Sequence, residues 1–322
     1  MLTIVLHADD FGLNQAVTDG ILRGFTHGLL TSTSLLANAP YAARGIRAWK
    51  QFAGSTAERA ARGNPLRREL DEAGGPFDFG IHLNLTQGRP LTGRRYPSEL
   101  LDGEGLFPGV FALFARLARH GANKFAPQIR DELAAQVACA ADHGVSLTHL
   151  NGHQYIEILP AVAPLLPDLL AKFAIPAVRV SVEPALARNT LGHGFRLSAW
   201  LLAVVKRHYA RRAETMLRRA TATPAAFFGT AHAGRVDIRT IDLFLGAAGQ
   251  NRVVEIGLHP GLEDERIRPS EICEGWHDPL ASHRPRELAL LESPLLAERL
   301  RSRGVRLGRL SDLQPTILSY AA

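Results

Sequence analysis

Short apolar runs recur along the chain, and each ends at a polar, glycine or histidine residue. Runs of this length are typical of buried β-strands. They occupy residues 2–8, 79–85, 146–150, 177–182, 225–228, 252–258 and 305–307. Longer segments between them, such as 15–27 and 126–143, have apolar residues at helical spacing. Strands that alternate with helices predict a mostly parallel sheet covered by helices.

Polar residues suited to catalysis follow several different strands, and this decides between two parallel architectures. A barrel gathers such residues from many strands at one face, whereas an open sheet concentrates them at one switch point. Here the residues are Asp9, His82, His153 and His259. The sequence therefore predicts a distorted, TIM-barrel-like (β/α) barrel that forms a single domain over residues 1–322.

Two segments interrupt the alternation of strands and helices. Residues 54–76 are rich in arginine, glycine and proline, which predicts a loop insertion. Residues 183–225 contain an amphipathic basic helix, in which Trp200 and neighbouring aliphatic residues precede Lys206 and Arg212. That pattern fits an ordinary outer helix and also a lid over the mouth of the barrel.

Asp9 and Asp10 come shortly after the apolar run 2–6, where a buried strand should reach solvent. Adjacent carboxylates repel each other, so they need a cation, a shared proton or strong hydrogen-bond donors. A metal ion is the simplest of these. The pair therefore predicts an active site at the carboxyl end of the first strand.

Histidines in two later segments are candidate partners of these carboxylates. His82 lies in an apolar strand, where a single histidine is more often a hydrogen-bonded core residue than a ligand. In residues 148–154, period-two alternation places His149, Asn151 and His153 on one face. Burial without a ligand would leave that face unpaired, whereas a divalent ion or a polar substrate would satisfy it. Imidazole and carboxylate are ordinary ligands of zinc and related ions.

The apolar run 252–258 ends at His259, and Pro260 and Gly261 end the strand there. Because the reference pKa of histidine is near neutral, His259 is suited to donate a proton to a leaving group. A turn histidine without a catalytic role is the alternative interpretation.

Composition limits the cellular compartments and the binding partners that we expect for the protein. Cys139 and Cys273 are far apart, which indicates neither a disulfide framework nor a thiolate metal site. The first residues lack the basic leader of a signal peptide, so we expect the protein in the cytosol. The net charge of +6 comes from arginine-rich clusters with helix-like interruptions. Such clusters favour solvated helix faces over a nucleic-acid partner.

Six segments, taken together, resemble the ChbG/HpnK or YdjC-like carbohydrate deacetylases. They are residues 8–13, 28–34, 80–86, 148–153, 257–260 and 304–307. Each segment is weak alone, but the ordered set is specific and spans nearly the whole chain. Many relatives have aspartate in place of Asn151 and a further histidine in place of Tyr155. The hopanoid-associated branch has asparagine at the position of Asn151, so the chain resembles that branch more closely.

The resemblance implies a hydrolase that binds one divalent metal ion, Mg²⁺ or Zn²⁺, and removes an N-acetyl group from an amino sugar. By motif, the implied metal ligands are Asp10, His82 and His153, the implied general base is Asp9, and the implied general acid is His259. The residues implied to contact substrate or to support the ligands are His149, Asn151 and Asn84. An exchange of roles between His149 and His153 stays open, because both belong to one motif.

Two other functions stay open at this point. Aspartate and histidine ligands do not specify the leaving group, so a barrel metal hydrolase acting on another amide, an ester or a phosphate is one alternative. A non-enzymatic basic protein that binds a sugar or nucleic acid is the other. The basic helix that contains Trp200 also predicts a glycolipid substrate and peripheral contact with the inner, acidic face of a membrane. A homodimer is a further expectation.

Overall fold

The computed structural model describes residues 1–71, 75–121, 123–184, 197–249, 252–263 and 275–313, without the side chains of residues 197–203. Strands and helices alternate within these ranges. The strands are β1 (Leu2–Phe11), β2 (Ser32–Leu35), β3 (Asp78–Leu83), β4 (His149–Gly152), β5 (Ala177–Val178), β6 (Ala226–Phe228), β7 (Val253–Leu258) and β8 (Val305–Leu307). The helices are α1 (Gln15–Thr26), α2 (Ala42–Phe52), α3 (Thr56–Arg62), α4 (Val110–His120), α5 (Ala126–Ala141), α6 (Leu166–Lys172), α7 (Leu197–Leu217), α8 (Ile238–Ala248), α9 (Arg284–Leu291) and α10 (Pro294–Ser302).

The strands pair in parallel, and β1 lies near the middle of the sheet. The strand order is β5-β4-β3-β2-β1-β7-β6, and β8 also pairs with β1. Strand β8 adjoins the first part of β1, where Leu2 lies opposite Val305. Strand β2 adjoins the last part, where His7 lies opposite Ser32. Because parallel strands have their carboxyl ends at the same edge, residues at the ends of β1, β3, β4 and β7 are brought together.

The sheet is a partial barrel that does not close. Its edges are β5 and β6, and in the described ranges an isolated bridge between Ala177 and Ala222 stands where a closed barrel has a continuous ladder. The predicted parallel α/β architecture is confirmed, but the predicted barrel is wrong in its closure. Strand β5 contains two residues, although the apolar run 177–182 predicts six, so it offers little backbone for a further ladder.

Strand β2 is missing from the sequence prediction because its residues, Ser32–Leu35, are mostly hydroxylic. Its hydroxyl groups find partners inside the sheet. The Oγ1 atom of Thr33 donates to the carbonyl oxygen of Ala8 at 2.8 Å, and the Oγ atom of Ser32 lies 2.8 Å from Nδ1 of His7. A polar run can therefore form a central strand where its neighbours satisfy its side chains.

Helix α1 shows how the sequence fixes the outer layer on the sheet. The side chain of Asn14 caps the helix by accepting a hydrogen bond of 2.8 Å from the backbone nitrogen of Val17. Val17, Ile21 and Phe25 recur at helical spacing and are buried. Phe25 packs against Trp49 of α2, with ring centres 5.6 Å apart. The amphipathic helix predicted over 15–27 is confirmed, and its apolar face anchors it beside β1.

The segment 54–76, predicted as a loop insertion, contains helix α3 and a short 3-10 turn at Pro65–Arg67. Glu58 of α3 is buried, and its carboxylate accepts a hydrogen bond of 3.2 Å from the backbone nitrogen of Phe77. Arg67 is buried as well. The described part of this segment is therefore packed into the domain.

Residues 185–196 of the predicted lid lie outside the described residues. The described remainder consists mainly of α7, which packs on the turn that follows β4. There, the Nζ atom of Lys206 lies 3.8 Å from the centre of the Tyr155 ring. The lid stays a prediction. Helices long and apolar enough to cross a bilayer do not occur in the described ranges.

Candidate active site

A distortion of β1 places both aspartates in the site. The register of β1 against β2 shifts between Ala8 and Phe11, and Asp10 has a left-handed φ of 69°. In a regular strand, adjacent side chains point to opposite faces. Here both carboxylates approach one imidazole, since His82 lies 3.8 Å from Asp9 Oδ1 and 3.5 Å from Asp10 Oδ1.

Asp10, His82 and His153 form a candidate metal centre. Each offers one ligand atom, and these atoms all lie within 4.8 Å of one another. The Oδ1 atom of Asp10 is 3.5 Å from His82 Nε2 and 3.3 Å from His153 Nδ1. This oxygen is buried and makes no hydrogen bond with any described residue. A buried carboxylate oxygen without a partner is costly, and a divalent cation held among the three groups would satisfy it.

His82 is held in one tautomer by Asn151. Its Nδ1 lies 2.7 Å from Asn151 Oδ1, and because an amide oxygen only accepts, Nδ1 carries the proton. The Nε2 atom keeps its lone pair and faces Asp10. Burial lowers the pKa of His82 to about 4, although the charges of Asp9 and Asp10 oppose that shift. His82 is therefore neutral at neutral pH, as a metal-binding histidine must be.

His153 follows β4 at the start of a 3-10 turn. The next two residues, Gln154 and Tyr155, have left-handed φ angles of 51° and 65°. This backbone ends the strand and leaves the His153 ring beside Asp10 and His82, whose ring centre is 5.3 Å away. Left-handed residues other than glycine each cost about 1–3 kcal/mol and cluster at functional sites.

The two carboxylate oxygens of Asp10 have different neighbours. Its Oδ2 atom accepts a hydrogen bond of 2.7 Å from Nη2 of Arg284, the first residue of α9. Arg284 is itself held by Asp278 through bonds of 2.7 and 3.0 Å. Burial raises the pKa of Asp10, but the Arg284 guanidinium, together with His153 and His259, holds the pKa well below its usual range. Asp10 is therefore ionised, with Oδ2 occupied and Oδ1 facing the two histidines.

Asp9 has donors on both carboxylate oxygens. The Nη1 atom of Arg179 lies 2.9 and 2.8 Å from the two oxygens, and Asn151 Nδ2 donates to Oδ1 at 3.1 Å. Burial raises the pKa of Asp9, but Arg179, followed by His82 and His7, holds it well below its usual range. Asp9 is a fixed, ionised carboxylate next to the candidate metal centre.

Buried arginines supply the strong donors that the adjacent carboxylates require. Arg179 bridges Asp9 and Glu255, whose Oε1 lies 2.6 Å from Arg179 Nη2. Arg284 pairs with Asp10. The interpretation that a metal ion is the simplest neutraliser of the aspartate pair is therefore too narrow, since each carboxylate has its own guanidinium. The feature that fits a cation is the unpaired Oδ1 atom of Asp10.

His259 lies just after β7 between two buried carboxylates. Its Nε2 is 3.9 Å from Asp9 Oδ2, and its Nδ1 is 3.9 Å from Glu287 Oε2. The backbone nitrogen of His259 also donates to Glu287 at 2.6 Å, which fixes the end of the strand. The ring is 12% exposed, so it can reach a substrate placed over the centre.

Two predicted site residues lie beside the cluster instead of in it. His149 is fully buried below the site, where its Nδ1 lies 2.9 Å from Thr148 Oγ1 and its ring packs on Gly80. The structure therefore places His153, and not His149, next to Asp10. The Oδ1 atom of Asn84 accepts from the backbone nitrogen of Thr86 at 2.9 Å, so Asn84 shapes the loop after β3.

Several residues of the site are missing from the sequence prediction. His7, Arg179 and Glu255 are polar residues inside apolar runs, and each is buried in the network around Asp9. A charged residue within an apolar strand is a usable signal, because such a residue needs a buried partner. Arg284 gives no comparable signal, since its approach to Asp10 depends on how α9 packs.

The fold and the Asp–His–His cluster define a protein with a partial (β/α) barrel and a candidate metal centre at the carboxyl ends of its strands. The chain belongs to the YdjC-like protein family, whose sequence model matches residues 3–302. This confirms the family resemblance, while the hopanoid-associated branch stays a prediction.

Relatives along almost the whole chain have names that refer to deacetylation. A human protein named carbohydrate deacetylase is 29% identical over 330 residues, which cover 97% of this chain and 91% of the relative. A chitooligosaccharide deacetylase from Yersinia enterocolitica is 26% identical over 312 residues, which cover 96% of this chain and 98% of the relative. A crystal structure of a suggested cellobiose-phosphate cleavage protein from Enterococcus faecalis aligns with a TM-score of 0.68 at 19% identity, covering 96% of this chain and 97% of the other. This last likeness shows the fold alone.

Proposed function

We propose that the protein is a metal-dependent hydrolase that removes an N-acetyl group from an amino sugar and releases acetate. The observation that carries the proposal is the buried, unpaired Oδ1 atom of Asp10, which faces His82 and His153. The deacetylase names of the relatives agree with it.

Asp10, His82 and His153 would hold the metal ion, which when bound polarises the acetamide carbonyl as a Lewis acid. The residues fit such an ion because His82 is kept neutral with a lone pair on Nε2, while Asp10 is kept ionised by Arg284. Two imidazoles among three protein ligands favour Zn²⁺ over Mg²⁺, which prefers oxygen ligands.

Asp9 is the proposed general base. Its carboxylate is ionised and held by Arg179 and Asn151, so it is oriented to accept a proton from the attacking water. Asp9 lies outside the candidate ligand set. Its Oδ1 accepts from Arg179 and Asn151, whereas Oδ2 accepts only from Arg179 among the described residues and keeps a lone pair for the proton. A fixed orientation compensates in part for the low basicity that Arg179 imposes.

His259 is the proposed general acid, which protonates the departing nitrogen. An amine leaves poorly as an anion, so the breakdown of the tetrahedral intermediate needs this proton. Carboxylates lie 3.9 Å from each ring nitrogen, with Asp9 on one side of the imidazole and Glu287 on the other.

The proposed substrate is an N-acetylated amino sugar in a glycan or glycolipid. A cavity of about 800 Å³ adjoins Gln154 and Tyr155, directly after His153. Its apolar wall includes Phe111 of α4 and Val205 of α7. Such a cavity suits the apolar part of a glycolipid. Membrane contact is a separate expectation, and failure to co-sediment with acidic liposomes would argue against it.

Product analysis tests the proposed reaction. Purified protein is assayed for bound metals by elemental analysis and for acetate release from a panel of N-acetylated sugars. We expect acetate release that a chelator abolishes and the added metal restores. Release of phosphate from phosphorylated sugars without acetate would favour the rival hydrolase. Binding without turnover that weakens steeply with salt would favour the nucleic-acid alternative.

A further inference from the structure

Gln87 connects the candidate metal centre to residues 275–283, the segment that precedes α9. Its Nε2 atom lies 3.2 Å from Nε2 of His153, and its Oε1 accepts a hydrogen bond of 2.9 Å from the backbone nitrogen of His277. Its carbonyl oxygen accepts from Asn38 and Asn84 at 3.1 and 2.8 Å. The backbone of Gln87 is thus held in place, while its side-chain amide contacts the ring of His153 at one end and the backbone of His277 at the other.

The hydrogen-bond pattern assigns a tautomer to His153. Because Gln87 Oε1 accepts from His277, the amide NH₂ group points to His153 and can only donate. The Nε2 atom of His153 must therefore accept, which leaves the proton of a neutral ring on Nδ1. This N–H group lies 3.3 Å from Asp10 Oδ1 but is not aligned for a hydrogen bond to it.

That tautomer conflicts with a role of His153 as a ligand. Nδ1 is the atom that lies 3.3 Å from Asp10 Oδ1, so it is the atom that faces the candidate metal centre. His153 can offer a lone pair on Nδ1 only when its proton is on Nε2. Two donors, the Nε2–H group of His153 and the NH₂ group of Gln87, would then face each other.

A rotation of the Gln87 amide by half a turn removes this conflict. The Oε1 atom then accepts from His153, and the backbone N–H of His277 loses its acceptor. This bond lies at an exposed position, where water can replace the lost partner. The same segment packs Trp276 on Gly88 and supplies Asp278, which holds Arg284.

We infer that Gln87 is a positioning residue for His153, and that its amide turns over when a divalent cation binds. The inference rests on the metal site of the proposed function. The contacts of Gln87 also lead back to Asp10. Gln87 bonds the backbone of His277, the neighbouring Asp278 holds Arg284, and Arg284 bonds Asp10. A histidine that binds a metal commonly donates its other N–H to such an acceptor.

Two substitutions at position 87 test the inference through metal affinity, measured by calorimetric titration of metal-free protein with Zn²⁺. Gln87→Leu removes the acceptor, and we expect affinity to fall by about 10- to 100-fold. Gln87→Glu supplies two acceptor oxygens, which satisfy His153 and His277 together, and we expect affinity above that of the unmodified protein. A residue that merely fills space would give no gain with glutamate.

Gln154→Glu is the matched control, because it adds the same charge next to His153 at a side chain that makes no hydrogen bond to a proposed ligand among the described residues. We expect a smaller gain from it than from Gln87→Glu. Equal affinities of the unmodified protein and both Gln87 variants, or equal gains from the two glutamates, would overturn the role of Gln87 and leave the metal proposal intact. Absence of Zn²⁺ binding to the unmodified protein would overturn the metal proposal and this inference with it.

Discussion

Asp9 and Asp10 are adjacent, buried and ionised, yet their surroundings differ in one decisive way. Asp9 has Arg179 on both oxygens and Asn151 on one of them. Asp10 has Arg284 on Oδ2, while Oδ1 has no hydrogen-bond partner among the described residues. A carboxylate with donors on both oxygens is held in one orientation, and Asp9 Oδ2 still keeps a lone pair that can accept a proton, whereas the unpaired Oδ1 of Asp10 is open to a cation. In the proposed function, this difference makes Asp9 the base and Asp10 a ligand.

Asp10→Asn should have the largest effect on metal binding and activity. The neutral amide weakens the proposed metal centre and the pair with Arg284, so we expect loss of the bound ion and activity at background. Elemental analysis and the acetate assay measure the two effects. A variant that keeps a full equivalent of metal would place the ion elsewhere.

Asp9→Asn should show that the two aspartates have different roles. We expect the metal content to stay the same while kcat falls by about 10² to 10⁴-fold, the usual contribution of a positioned base. Metal loss as complete as that of Asp10→Asn would make Asp9 a ligand and erase the distinction between the two residues.

His259→Gln extends the comparison to the leaving group. We expect turnover of the amide to fall by about 10²-fold or more, with the metal retained. Hydrolysis of an activated aryl acetate should fall much less, because a phenolate leaves without prior protonation. Equal losses on both substrates would argue against His259 as the acid.

Glu157 is a further buried carboxylate, and it makes no ion pair with an arginine among the described residues. Its Oε1 accepts from Ser181 Oγ at 2.7 Å, and burial raises its pKa to about 7 against the opposing effects of Ser181 and Arg179. Since the folded pKa exceeds the unfolded value of about 4.3, this group stabilises the fold fully at pH below about 4 and loses that contribution as pH rises to about 7.

Glu157→Gln should therefore flatten the pH dependence of stability. The free energy of unfolding should decrease between pH 5 and pH 8 in the unmodified protein. We expect this decrease to be about 2–3 kcal/mol smaller in Glu157→Gln. Urea denaturation at the two pH values measures the difference, and Glu104→Gln, at an exposed position, is the control. The same pH dependence in Glu157→Gln and the unmodified protein would contradict the assigned shift.

The sequence predicts the elements that carry the site better than the contacts that complete it. The apolar runs that end near Asp9 and His259, and the run that contains His82, locate strands β1, β7 and β3, because a buried parallel strand leaves a clear local pattern. Strand β2 leaves no such pattern, since its hydroxyl groups are satisfied by residues distant in the chain.

The missed contacts of the site depend on long-range packing. Arg284 reaches Asp10 from 274 positions away, and Arg179 reaches Asp9 from 170 positions away. The motif also leaves His149 and His153 equivalent. The left-handed backbone after His153 separates them, and nothing in the local residue pattern encodes it.

The most direct test of the central claim is a crystal structure of the protein with Zn²⁺, with diffraction data collected on both sides of the zinc absorption edge. We predict one anomalous peak per chain, bound by Asp10 Oδ1, His82 Nε2 and His153 Nδ1, with Asp9 still on Arg179. A peak on other residues, or none in crystals of protein that releases acetate, would contradict the account.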